Sequence, residues 1–349
     1  MEDINYFMGQ DGFNWFVGVV EDRADPEKAS RVRVRCVGYH TADNKKIPTE
    51  DLPWASVMMP VTAGANSGIG FSPHFLLEGT WVVGFFRDPA KQEPVILGAL
   101  PGYNSSDTTN FTIAASSKLG GFSSPKDGGG FKDPNSKYPT ALYVDKTDTN
   151  VLAQESVDTH ASKDKKHTLT KNWTTATGTA TQPASTQSSA KYPTNHVFET
   201  ESGHYVEFDD TAGNERIHLF HKMGTFIEID KSGNVIIKTV GNVTNIVAGN
   251  MDTYVTKNYN LSVGGTMGIW SKGLVTELFD AGRKTTITGT ETLEISGAVT
   301  NTFKNKLTEE VTMDVKQDYK ANLTTLITAL GSITATGAMT VGGSSISFN

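Results

Sequence analysis

The most regular feature of the chain is an eight-residue spacing of apolar side chains from about Gly241 to Ile327. Val247, Val255, Val263, Phe279, Ile287, Ile295, Phe303, Val311, Tyr319 and Ile327 share one register, broken only at Ser271. Four positions earlier in each octad stand Val243, Met251, Tyr259, Met267, Val275, Val299, Leu307, Val315 and Leu323, with Arg283 and Glu291 as exceptions. An even period puts both columns on one side of an extended chain. A helix is disfavoured, because eight residues rotate its apolar stripe by about 80° at each step. Gly241, Gly249, Gly265, Gly273, Gly289 and Gly297 fall two places after the first column or its expected slot. Glycine reaches positive φ, so each marks a predicted corner.

Eight residues supply one short strand and a turn, with about two side chains facing inward, too few to enclose a core within one chain. Three chains solve this if each gives one face of a triangular prism and the columns meet on the threefold axis. A homotrimer is therefore expected, with the two columns, Val243 to Ile327, as its core. A monomeric solenoid would need unusually short coils and is the less economical arrangement.

Ahead of the octads the pattern changes. Five strand-like runs, NWFVGVVEDR, RVRVRCVGYH, LPWASVMMPV, TWVVGFFRD and EPVILGAL, occupy the first hundred residues and suit a small closed barrel of the OB type. In the second run Arg31, Arg33 and Arg35 alternate with Val32 and Val34. The valines are expected to face the core and the arginines solvent or an acidic partner, in preference to a nucleic-acid groove. Further on, HYVEFDD, RIHLFHK, TFIEID and VIIKTV are separated by TAGNE, MG and KSGN, the signature of a β-meander. Residues 104–195 have few apolar periodicities and include KDGGGFKDP and TTATGTATQPASTQSS, a polar linker with a short ordered patch expected around ALYVDKTDTNVLAQES. The predicted division is 1–13 arm, 14–103 OB domain, 104–195 linker, 196–240 meander neck and 241–349 octad needle. The fold class is all-β.

Composition agrees with strands and turns: 34 Gly and 37% hydrophobic residues in a chain of 349. The net charge of −7 argues against a general nucleic-acid binder. Cys36 is the sole cysteine, so no intrachain disulfide exists, and the acidic start MEDINYFMGQD is unlike a secretory signal. Synthesis in a reducing bacterial cytoplasm is expected. No apolar run approaches the ~18 residues of a membrane span.

In order along the chain, WFVGVVEDRADPEKASRVRVRCVGYH, IPTEDLPWASVMMPV, SGIG, EGTWVVGFFRD and NHVFETESGHYVEFDDTAGNERIHLFHKMGTFIEIDKSGNVIIKTVGN, followed by the octads, resemble the central spike proteins of contractile phage tails. This family is related to the valine-glycine-repeat spikes of type VI secretion. The resemblance implies an OB-fold collar on a trimeric baseplate hub protein, and a trimeric β-helix needle that pierces the host outer membrane mechanically as the sheath contracts. It further implies a virion location in the tail baseplate and a small conical tip protein at the far end, for which Val341, Ile346 and Phe348 are the predicted contacts. A type VI spike usually has a hub-like domain fused before the barrel, whereas here the first barrel strand is expected close to the start of the sequence. That favours the phage version over a type VI or extracellular injection spike.

Some members of the family carry a lysozyme domain between barrel and needle. Glu155, Asp164 and Thr170 reproduce the spacing of its catalytic residues. Glycoside hydrolysis, however, needs an acid whose pKa is raised by an apolar pocket, and ESVDTHASKDKKHTLT supplies almost no apolar residues. Residual peptidoglycan hydrolysis is the alternative function; no enzyme, cofactor or nucleic-acid partner is expected. His196, His204, His218 and His221 raise the question of a metal, but His218 and His221 are three apart on a predicted strand and would face opposite sides. They are expected to be ordinary strand-surface histidines, with no metal.

Overall fold

The computed structural model describes residues 12–71, 74–101, 149–150, 152–153, 172–176, 178–181, 190–329 and 331–343. Its elements are strands and one short 3-10 turn, Thr49–Asp51, with no α-helix among the described residues. The chain divides into two units, Met1–Met267 and Gly268–Asn349.

The first unit begins with a closed barrel of β1 (Asn14–Asp22), β2 (Val32–Cys36), β3 (Trp54–Val57), β4 (Trp81–Phe86) and β5 (Pro94–Ala99). The strand order β1-β2-β3-β5-β4 is closed by antiparallel pairing of β1 with β4, and the β3–β5 pair is parallel. All five strands lie inside the runs predicted from alternation. Phe16, Val20, Val32, Val34, Cys36, Val82, Phe86 and Ile96 form the core. Closure is tight where β1, β4 and β5 meet: a Cβ on Gly84 would stand 2.1 Å from the Val95 carbonyl oxygen and 2.6 Å from the Phe16 ring.

The arginines of β2 depart from expectation. Val32 and Val34 do face the core, but Arg35 is fully buried, with its guanidinium paired to buried Glu21. It also donates to the carbonyls of Thr41 and Ile47, at 2.8 and 2.9 Å, while the Thr49 hydroxyl donates to Glu21 at 2.8 Å. Arg31 pairs with Asp25 at 2.8 Å. Arg33 lies over the Trp54 ring at 4.6 Å and donates to the Thr49 carbonyl. The acidic partner of this strand is the barrel itself, which supplies the hydrogen bonds that a buried charge requires.

A two-stranded hairpin, β6 (Asn172–Thr175) and β7 (Gly178–Thr181), precedes a five-stranded antiparallel meander. The meander contains β8 (Asn195–Glu199), β9 (Tyr205–Asp209), β10 (Arg216–Phe220), β11 (Phe226–Ile229) and β12 (Val235–Lys238) in sequential order. Leu152, within the predicted ordered patch, is fully buried against Tyr205, Phe220 and Phe226. Barrel and meander touch: Arg23 makes a forked pair with Glu201 at 2.6 and 2.9 Å and also meets Glu78 at 3.0 Å, and the Phe75 and Phe198 rings pack edge to face at 4.6 Å.

Among the described residues after β12 there is no strand, yet the backbone is regular. In the first unit, bend pairs fall at 240/241, 248/249, 256/257 and 264/265. In the second they continue at 272/273, 280/281, 288/289, 296/297, 304/305, 312/313, 320/321, 328/329 and 336/337. Each predicted glycine corner is the second residue of such a pair. The reason differs from expectation, because none of those six glycines has positive φ and nothing lies within 4 Å of a Cβ on Gly241, Gly249, Gly265, Gly273, Gly289 or Gly297. Lys257, Asn305 and Met313 can therefore fill the same slot.

Candidate functional site

The meander has two unlike faces because side chains alternate across a strand. Cross-strand register aligns Phe198, Val206, Leu219, Ile227 and Ile237 in one row, and His196, Phe208, Ile217, Ile229 and Val235 in the next. Nine of these ten side chains are apolar and none is Asp, Glu, Lys or Arg. All but Val206 are exposed in the single chain, Leu219 at 52% and Ile237 at 69%. An exposed apolar sheet face of this extent marks an interaction surface.

The opposite face holds the charges. Glu207, Arg216, His218 and Glu228 are all buried there, beside Tyr205, Phe220 and Phe226. Arg216 donates to Glu207 at 2.6 Å and lies 3.7 Å from Glu228, while His218 Nδ1 lies 3.5 Å from Glu207. Asn195 donates both to Glu207, at 2.7 Å, and to the Leu152 carbonyl, at 2.8 Å. Burial pushes the Glu207 carboxyl up, but its contacts with His218, Arg216 and Asn195 outweigh that and hold it down at about 2.

Of the four histidines expected on strand surfaces, His218 departs, while His196 and His221 are exposed. His218 is fully buried within the polar cluster, edge-on to Tyr205 and Phe226. His204 and His221 sit ring to ring at 4.4 Å, each accepting a backbone N–H at Nδ1. His196 is exposed, 3.7 Å from Asp210. Among the described residues no group of three or more His, Cys, Asp or Glu is arranged to hold a metal ion.

The outward rows of the meander and the octad columns share a parity. Val235 and Ile237 face outward, Val235 is one octad before Val243, and every member of both columns occupies an odd position, as Val235 and Ile237 do. Every described residue from 240 onward is exposed. The first column, each member of which immediately precedes a bend pair, is the most sheltered, at 44% to 61% exposed. Its predecessors in sequence face fully outward, as Ile246, Tyr254 and Leu278 do at 88%, 89% and 84%. The second column overlaps the first and extends further outward, from Met267 at 54% to Val243 at 74%. Val341 is exposed, whereas Ile346 and Phe348 lie outside the described residues, as do Glu155, Asp164 and Thr170.

Octad periodicity pointed to the columns but not to Phe198, Phe208, Ile217, Leu219, Ile227 or Ile229. Their signal is the i, i+2 spacing within each short run. That spacing does not say which face is interior until the register is known.

A family model, the Gp5 N-terminal OB domain, matches residues 38–196. Protein Gp5 of Vibrio phage KVP40 is 36% identical over 305 residues, covering 78% of this chain and 68% of that protein. The chain belongs to the Gp5 family. The pre-baseplate central spike protein Gp5 of Enterobacteria phage T4 is 43% identical over 152 residues, which is 42% of this chain and 23% of that relative. The residues matched by the OB-domain model take in β3, β4 and β5 of the barrel, and β1 and β2 lie ahead of them. A central spike is a structural part, and an uncharged apolar sheet face is the kind of feature through which such a part assembles.

Proposed function

We propose that this Gp5 family member is the structural central spike of a contractile phage tail baseplate, built as a homotrimer that pierces the host outer membrane when the sheath contracts. The observation that carries the trimer is the run of outward apolar positions, from Phe198 on β8 through β12 and on at the same parity into the octads. Every member of both columns is exposed in the single chain, and copies related by a threefold axis would cover them. Val243, Val247, Met251, Val255, Tyr259, Val263, Val275, Phe279, Ile287, Ile295, Phe303, Val311, Tyr319 and Ile327 then line the axis of a triple-stranded β-helix. The bend pairs are its corners, and interchain hydrogen bonds take the place of the strand ladders that one chain cannot make.

In this reading residues 14–103 form the OB collar that docks on a trimeric baseplate hub protein, 104–195 link it to the neck at 196–240, and 241–349 form the needle. A small conical tip protein caps the far end at Val341, Ile346 and Phe348. The role is mechanical, without catalysis at Glu155 or Asp164, without cofactor, metal or nucleic acid. The protein is made in the host cytoplasm and ends in the virion. Rigidity follows from a continuous apolar axis with few local ways to open. Negative-stain imaging of the purified protein is expected to give a needle below a wider head; a single rounded particle would contradict the reading. Deleting residues 342–349 should leave the trimer intact and abolish binding of the purified tip protein, and unchanged binding would sink the tip contact alone.

A further inference from the structure

The barrel carries a second uncharged apolar surface. The connection after β3 exposes Val61 completely, Ile69 at 72% and Phe71 at 64%, with Phe75 following. Exposed apolar side chains on a shapeless loop would mean little, but this one is built. Ala63 donates to the Pro60 carbonyl at 2.8 Å and Ile69 to the Asn66 carbonyl at 2.9 Å, and Asn66 and Ile69 form a bridge. Gly70, at φ +114°, sits so close to the start of the loop that a Cβ would stand 2.7 Å from the Gly64 amide nitrogen. Ala65 and Ser67 hold positive φ without being glycine, a conformation that needs support from its surroundings.

We propose that this loop is an interface between copies of the chain: Val61, Ile69 and Phe71 of each protomer meet their counterparts about the threefold axis and close the barrel end of the apolar neck. The inference rests on the trimeric reading above. Two observations select a second copy as the occupant. First, Phe75 packs on Phe198, which begins the first outward row of the meander, so the loop's surface continues the face assigned to the trimer, and the Arg23–Glu201 fork ties barrel to neck beside it. Second, no Asp, Glu, Lys or Arg occurs between Asp51 and Glu78, in a chain with 20% charged residues. A surface meeting its own copies on an axis brings three like charges together wherever it carries one, so a charge-free stretch is what self-association there requires. A different protein could instead have been met by complementary charges. His74, within that stretch, is held toward the neutral form by burial and by nearby Arg23.

Cys36 is the sole native thiol and is buried, so single-cysteine variants of the full chain report on the loop directly. Val61→Cys and Ile69→Cys, oxidised with copper(II)–phenanthroline in air, are expected to give a disulfide-linked dimer on a non-reducing denaturing gel. The ceiling is about two thirds of the chains, since three thiols on an axis pair two at a time. A short bis-maleimide should reproduce the dimer where the geometry is too wide for a disulfide. Glu27→Cys, at an exposed position elsewhere on the barrel, is the control expected to stay at least tenfold lower. A trimer by sedimentation that yields no crosslink with either reagent at either position overturns the inference and leaves the trimeric reading standing. A monomer by sedimentation overturns both. Absence of crosslinks together with protection of both cysteines from a soluble maleimide only in assembled baseplates would assign the loop to another baseplate protein, again overturning the inference.

Discussion

Replacing Leu219 by Asp tests whether the outward face of the neck is an interface. Leu219 lies on β10, the middle strand of the meander, between Val206 and Ile227, and is 52% exposed in the single chain. In a monomer the substitution is benign or mildly favourable, since surface changes usually stay within about 0.5 kcal/mol. In the trimer the exposed half of each leucine is also buried, worth about 1 kcal/mol per copy from a full value of about 1.5–3 kcal/mol. The three carboxylates must then enter an apolar contact without partners, each at an effective penalty of several kcal/mol. The sum exceeds roughly 10 kcal/mol per trimer, more than seven orders of magnitude in the assembly constant at about 1.4 kcal/mol per factor of ten. Leu219→Ala gives a graded comparison: loss of the transfer term alone in three copies is about 3 kcal/mol, roughly a hundredfold in that constant. Sedimentation velocity across a concentration series reads both variants, and circular dichroism checks that the strands persist. A Leu219→Asp protein that assembles at wild-type concentrations would refute the interface.

The barrel's buried pair should behave as a unit: Arg35→Met or Glu21→Gln alone is expected to destabilise the barrel by about 3–5 kcal/mol in urea unfolding, and the double replacement by Met and Leu should recover most of it. Equal losses for the single and double variants would contradict that coupling. Glu207, held at about 2 in the folded chain against an ordinary 4.5, contributes stability that is complete above about pH 4.5 and lost as pH falls toward 2, roughly 3 kcal/mol in total. Glu207→Gln should flatten the acid limb of the unfolding-midpoint profile, and an unaltered limb would show that the cluster is not responsible. Zymography on peptidoglycan should show no clearing; clearing that disappears in Glu155→Gln would restore a hydrolase.

Elements were more legible than faces. The barrel strands follow from alternation in runs such as TWVVGFFRD, and the corners of the octads from their period, because both signals are local. The burial of Arg35 depends on Glu21, 14 residues away on the paired strand, and on carbonyls at Thr41 and Ile47, none of which alternation encodes. In the meander the same alternation is present in HYVEFDD and RIHLFHK, but its sense is inverted: Glu207, Arg216 and His218 point inward, and Phe208, Ile217 and Leu219 point out. A single-chain rule that places apolar residues inside assigns that face wrongly, since in the single chain the apolar side is the exposed one. NHVFE, short and mixed, was not among the predicted strand runs, yet as β8 it carries Phe198, the residue that joins neck to barrel.

Copies of the chain that cover one another's apolar faces must associate in solution. Sedimentation equilibrium of the purified full-length protein at micromolar concentration and below tests that association directly. The account predicts a single species of three times the 37.7 kDa chain mass, unchanged on dilution. A monomer with intact strand content would contradict it.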